Sequence, residues 1–143
     1  MPVKASQCKF NQCLYFSSNA FARKVEKLAQ DEWKEVGLPP SHAYILMTVL
    51  DEPGIQAGMI AQQVQLQPST VTRLLQKLED MKLVVRTSAG KLTNVYPTPK
   101  ASTLHPKLRQ CLNNFIERIS GLLGKEESHK LVEQINRHSD KLG

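Results

Sequence analysis

The residues best suited to chemistry lie in one run, Gln67-Pro68-Ser69-Thr70-Val71-Thr72-Arg73, with Gln76 and Lys77 just beyond it. Short hydroxyls and an amide beside the free N–H groups of a helix start can bind phosphates, while Arg73 and Gln67 can reach bases. The competing reading is a capped helix with a solvated polar face. The residues for catalysis are missing: there is no glycine-rich phosphate loop, no paired-carboxylate arrangement, and no histidine near Cys13 or Cys111 in sequence to serve as a base. His42, His105, His129 and His138 form no close pairs with Cys8, Cys13 or Cys111, so no metal site or cofactor is expected. An enzyme is not expected.

Charge favours a polyanionic partner. Nineteen Lys and Arg oppose thirteen Asp and Glu, for a net charge of +6 and a pI near 9.3. Arg73, Lys77, Lys82, Arg86, Lys91 and Lys100 face only Glu79 and Asp80 between positions 68 and 100, so four of the six net charges fall there. Three scattered cysteines make no disulfide framework and read as thiols in a reducing compartment. The opening MPVKASQCKFNQ has no apolar stretch, and no run approaches a membrane span. A soluble, cytoplasmic protein is expected, of a size that forms one domain across 1–143.

The elements that must position these residues follow from apolar spacing. Phe10, Leu14, Phe21, Val25, Leu28 and Val36 predict one long helix over 10–36, ended by Gly37, Pro39 and Pro40. Ser41 can cap a second helix with Ile45, Leu46, Val49 and Leu50 inward, stopped at Pro53-Gly54. A short third helix spans about Ala57 to Val64. The fourth starts at Pro68 and runs to about Lys82, burying Val71, Leu74, Leu75, Leu78 and Met81. That stripe turns Ser69, Arg73, Gln76, Lys77 and Asp80 outward and leaves Thr70 and Thr72 on the flanks.

Leu83-Val84-Val85-Arg86 and Leu92-Thr93-Asn94-Val95-Tyr96 flank Ser88-Ala89-Gly90 and predict a hairpin with Lys91 beside its tip. Two helices over 101–143 close the chain. The expected fold is mainly α: a winged helix-turn-helix lobe over 41–97 with a two-stranded wing, flanked by terminal helices. The stripes of the outer helices find little of that lobe left to cover, so a homodimer through 10–36 and 101–143 is expected. A helix-turn-helix places the start of its second helix in the major groove, and the basic hairpin that follows favours DNA over the solvated-face reading.

Ile60-Ala61-Gln62-Gln63-Val64, then Pro68 through Glu79, then Leu83-Val84-Val85-Arg86 resemble the multiple-antibiotic-resistance regulator (MarR) family of transcription factors. Val36-Gly37-Leu38 and Tyr44 to Leu50 extend the resemblance over nearly the whole chain. It implies a homodimer that binds pseudo-palindromic operator DNA, usually as a repressor. Ser69, Thr70, Thr72 and Arg73 would read the major groove, and the wing would reach the minor groove. Family wings typically hold an Asp-x-Arg element; this hairpin lacks it, leaving Lys91 as the basic residue near the tip. Arg86 reads as a strand-end support for the wing, with phosphate contact its second role. A winged helix that docks proteins without specific DNA binding is the alternative.

Members of the family often release DNA when a small phenolic ligand binds or a cysteine is oxidised. The stretch around Cys13 is similar to the organic-hydroperoxide-sensing branch, although the spacing to the Gly-Leu junction is about two residues longer. Tyr44 would be the hydrogen-bonding candidate for Cys13. A cysteine near a helix start has its thiolate favoured by the dipole, and peroxide attacks the thiolate. The alternative is a small hydrophobe in a dimer core. A ligand pocket between the dimer helices and the lobe would use Phe16, Trp33, His42 and Tyr44, with plain core the competing role for Phe16 and Trp33.

Overall fold

The computed structural model describes residues 2–143. Helix α1 spans Leu14–Trp33, α2 Pro40–Asp51, α3 Ala57–Val64, α4 Pro68–Asp80, α5 Pro99–Leu123 and α6 Lys125–Leu142. Strands β1 (Ile55–Gln56), β2 (Val84–Ala89) and β3 (Leu92–Pro97) form one antiparallel sheet in the order β1-β3-β2. β2 and β3 are the hairpin, in register from Val84 opposite Pro97 to Ala89 opposite Leu92. Its tight turn puts Gly90 at φ +65°, a conformation that glycine reaches without steric cost.

Several boundaries differ from the sequence expectation: α5 begins at Pro99 rather than 101, β2 runs on through Ser88 and Ala89, and the first, second and fourth helices shift as follows. The first helix begins at Leu14, not Phe10. Asn11 donates to the Ser6 carbonyl and Ser17 Oγ to the Asn11 carbonyl, so side chains satisfy backbone groups that a helix would have used. Cys13 is therefore the cap position, extended at φ −94° and ψ 121°, and Lys34–Val36 form a separate 3-10 turn after Trp33. The second helix starts at Pro40 rather than behind a Ser41 cap, because proline suits the first helical position and forces Pro39 before it to be extended.

The fourth helix stops at Asp80. Lys82 turns left-handed at φ +65°, and the Leu83 N–H bonds back to the Leu78 carbonyl at 2.9 Å, closing the helix end. The wing's two strands also gain a third, β1, which pairs Ile55 with Val95 and Gln56 with Asn94. Two residues carry no readable alternation, and the pairing comes from the open edge of β3.

The core joins α1 to the lobe. Trp33, Ile45, Leu46, Val49, Ile60, Val71, Leu75, Leu78, Val84, Val95 and Leu108 are all essentially buried. Thr98 ties the lobe to α5 by donating to the Lys82 carbonyl at 2.7 Å and accepting from the Ala101 N–H. Arg118 of α5 pairs with Glu32 of α1 at 3.4 Å, and Arg109 of α5 pairs with Asp51 of α2. A broad apolar surface stays open on the outer helices, including Leu14, Tyr15, Ile116, Leu122, Val132 and Leu142, each more than half exposed. No helix among the described residues is long and apolar enough to cross a membrane.

Candidate nucleic-acid interface

The chain enters α4 through a tight turn. Gln65 closes α3 in a left-handed conformation, φ +56°, and its side-chain amide donates to the Gln62 carbonyl at 2.7 Å. Gln67 is the extended cap residue, with Pro68 first in the helix. The first intrahelical bond runs from the Val71 N–H to the Gln67 carbonyl at 3.0 Å. The Ser69 and Thr70 N–H groups stand ahead of it and, with no side chain capping them, are available to an anion.

Burial of Val71, Leu74, Leu75 and Leu78 fixes the rotation of α4. Ser69, Thr72, Arg73, Gln76 and Lys77 are exposed and Thr70 is half-buried. Thr72 Oγ1 donates to the Pro68 carbonyl at 3.0 Å, which leaves its lone pairs free to accept. The side chains of Gln67, Ser69, Thr70, Arg73 and Lys77 make no hydrogen bond or ion pair among the described residues. They can meet a ligand without breaking an internal contact. Lys91 stands exposed at the hairpin turn.

Gln76 and Arg86 behave differently. Gln76 Nε2 donates to Asp80 Oδ1 at 2.9 Å, and its carbonyl oxygen accepts from Arg86. Arg86 also bonds Glu79 three times: Nη2 to Oε1 at 3.0 Å, Nε to Oε2 at 3.5 Å, and its backbone N–H to Oε2 at 3.1 Å. The guanidinium grip holds the Glu79 carboxyl below the usual carboxylate range, with the Arg86 N–H adding to the effect. Of the residues expected at DNA, these two are committed within the chain. Apolar spacing does not single out Glu79 as a functional residue; its one signal in the sequence is the Leu78-Glu79 pair, seven positions before Arg86.

The ligand candidates also divide. A mostly apolar cavity of about 810 Å³ opens between α1, the start of α2 and the α5–α6 pair, lined by Phe16, Phe21, Tyr44, Phe115, Leu131 and Ile135 among others. Phe16 and Tyr44 line it. Trp33 does not: it is fully buried and meets Tyr44 edge-to-face at 5.7 Å. His42 does not line it either. Its position in α2 turns it into the core, where both ring nitrogens are unpartnered. Burial lowers its pKa from the ordinary histidine value, helped by the nearby charges of Lys77 and Arg73.

Cys13 is exposed at the cap of α1 rather than inside the helix, and no hydrogen bond joins it to Tyr44 within this chain. Cys8 is half-buried, with its thiol 3.6 Å from the Lys4 carbonyl. Cys111 is buried, and burial first, then Glu35 and Glu32, raises its pKa. No cluster of three His, Cys, Asp or Glu among the described residues could hold a metal ion.

The MarR family model matches residues 36–91, from the end of α1's 3-10 extension to the wing turn. Over these residues the chain is similar to the MarR family. A similar chain is an uncharacterized HTH-type transcriptional regulator, YybA, of Bacillus subtilis (strain 168), 23% identical over 126 residues that cover 81% of this chain and 84% of that protein. A structure of the transcriptional repressor CouR bound to a 23-mer DNA duplex superposes with a TM-score of 0.82 at 17% identity, covering 97% of this chain and 99% of that one. CouR bound to p-coumaroyl-CoA gives 0.80 at 19% identity, covering 90% and 92%. The fold here, mainly α with a winged helix, is similar to that of both CouR structures.

Proposed function

We propose that this protein is a sequence-specific transcriptional repressor that binds pseudo-palindromic DNA as a homodimer. One observation carries the reading: α4 presents Ser69, Arg73 and Lys77 outward with Thr70 on the flank, none of their side chains having a hydrogen bond or ion pair among the described residues, beside open N–H groups at its start. A helix of 13 residues is about 20 Å long, which suits a major groove. The wing then lies alongside, with Lys91 at its tip, and a lysine supplies a point charge rather than an arginine fork. The apolar surface of α1, α5 and α6 supports a second copy, and the DNA bound by CouR in its complex agrees with the reading.

For the signal, the cavity favours a small ligand. Its aromatic lining at Phe16, Phe21, Tyr44 and Phe115 suits a planar apolar acid or phenol, and the CouR complex with p-coumaroyl-CoA sits in the same fold. Cys13 is exposed at a helix start and is the peroxide candidate. Its test is direct: a Cys13→Ser protein that still releases DNA on peroxide treatment removes Cys13 from the mechanism.

The DNA test is enrichment from a randomised duplex pool, followed by fluorescence anisotropy on the enriched duplex and a scrambled one at two salt concentrations. Tighter binding to the enriched duplex, weakening as salt rises, is expected. Equal weak binding to both would replace this reading with a protein-docking winged helix.

A further inference from the structure

We infer that Glu79 and Arg86 are a positioning pair: they set the angle of the wing against α4, so that Lys91 reaches DNA while Arg86 itself does not touch it. The inference rests on the DNA reading above and names a part of that interface which the reading leaves open.

The hairpin needs an external anchor. Its base is buried through Val84 and Val95, but from Thr87 to Leu92 every residue is exposed. A two-stranded ribbon on its own is marginally stable, so its free half has no core to fix its direction. Arg86 sits at the boundary between the buried base and the exposed tip. There its guanidinium and its backbone N–H both end on Glu79, and the guanidinium also meets Gln76, three residues earlier on α4. Two of the contacts are charge-assisted side-chain bonds to one carboxylate, which fixes direction as well as distance. Gln76 is held in turn by Asp80 at 2.9 Å. The wing is thereby referred to the last two turns of the helix that enters the groove.

Charge argues the same way. A carboxylate on a DNA-facing helix repels phosphates, so Glu79 opposes affinity unless it acts through something else. Its side chain is about one-third exposed and that of Arg86 only 19%, so the arginine is the more enclosed partner. A phosphate contact would need the guanidinium already engaged by Glu79 and Gln76.

The sign of one mutation separates the possibilities. Glu79→Ala removes a negative charge, and electrostatics alone predicts tighter DNA binding. A positioning role predicts weaker binding by roughly tenfold for each half of the dimer, the scale of one lost contact, with the slope of log affinity against log salt falling by about two as both Lys91 side chains lose their phosphates. The experiment is a double-mutant cycle on the enriched duplex, using Glu79→Ala, Lys91→Ala and the pair, with Glu79→Gln as the milder variant should alanine fail to fold. Glu79 and Lys91 are twelve positions apart and share no hydrogen bond or ion pair. A merely structural loss at Glu79 would therefore multiply with that at Lys91. Positioning predicts that the pair is no weaker than Glu79→Ala alone.

Unchanged or tighter binding by the Glu79 variants, or losses that multiply, overturns the pairing while leaving the DNA reading intact. A wild-type protein that enriches no duplex overturns both.

Discussion

Truncating Arg73 to alanine removes a guanidinium that forms no hydrogen bond or ion pair among the described residues, so its cost falls on whatever Arg73 meets outside. Folding should barely change: Arg73 is exposed, and exposed substitutions of this kind usually stay within about 0.5 kcal/mol. Binding should change far more. Arg73 lies one turn beyond Ser69 on the outward face and within reach of base edges if the start of α4 enters the groove. A bidentate arginine contact to a base is worth about 1–3 kcal/mol, or roughly 5- to 150-fold in affinity, for each half-site, and a homodimer loses it twice. Most of the loss should fall on the enriched duplex, because a base contact discriminates and a phosphate contact does not.

Lys77, one further turn along and about 6 Å up the axis, is the comparator. Lys77→Ala should weaken both duplexes alike and lower the salt slope by about two, one for each half of the dimer. Anisotropy titrations of the three proteins on two duplexes at several salt concentrations read both quantities. If Arg73→Ala binds the enriched duplex within a factor of two of wild type, or loses equally on both duplexes, the orientation of α4 in the groove is wrong.

Three further outcomes follow from the geometry. The pKa of His42 is lowered in the folded protein from an ordinary value of 6.5, so its contribution to stability is present above pH 6.5 and is lost as pH falls through the folded value; urea midpoints from pH 7.5 down to 5.5 should fall faster for wild type than for His42→Gln, and parallel curves would refute it. Lys82 holds φ +65°, where a side chain costs about 1 kcal/mol, so Lys82→Gly should raise the thermal midpoint by a few degrees, and a drop would show that its side chain matters more than its backbone. Leu122→Glu places a charge on the open apolar face of α5, where the residue is 63% exposed in one copy; it should leave the fold intact yet weaken self-association by more than about 2 kcal/mol, since a two-fold interface carries the change twice, and an unchanged mass in sedimentation equilibrium would move the interface elsewhere.

What the sequence reveals here depends on how many residues repeat the message. The bounds of α3 and the inward stripe of α4 were legible because Ile60, Ala61, Val71, Leu74, Leu75 and Leu78 recur at helical steps and are all buried. The start of α1 was not, since a few local side-chain bonds around Asn11 outweigh one apolar residue, Phe10. Strand β1 is too short to have a period at all. Trp33 and His42 carried the polar and aromatic chemistry of a pocket, yet both belong to the core, because residue type says what a side chain can do and only rotation about the helix says where it points.

The interface shows the same limit in a finer form. Apolar spacing identifies which faces must be buried and leaves the polar residues outward by subtraction. Subtraction does not separate a free side chain from one already engaged. Gln76 and Lys77 are neighbours on one outward face, but Gln76 is taken by Asp80 and Arg86 while Lys77 is unengaged. One of the partners that decide this, Arg86, comes from a strand beyond the end of the helix, where no periodicity runs, and is held there by Glu79. Adjacent positions on α4 should therefore give different mutational signatures: a lower salt slope from lost charge at Lys77, and at Gln76 a loosened hold on the wing with no positive charge of its own to lose.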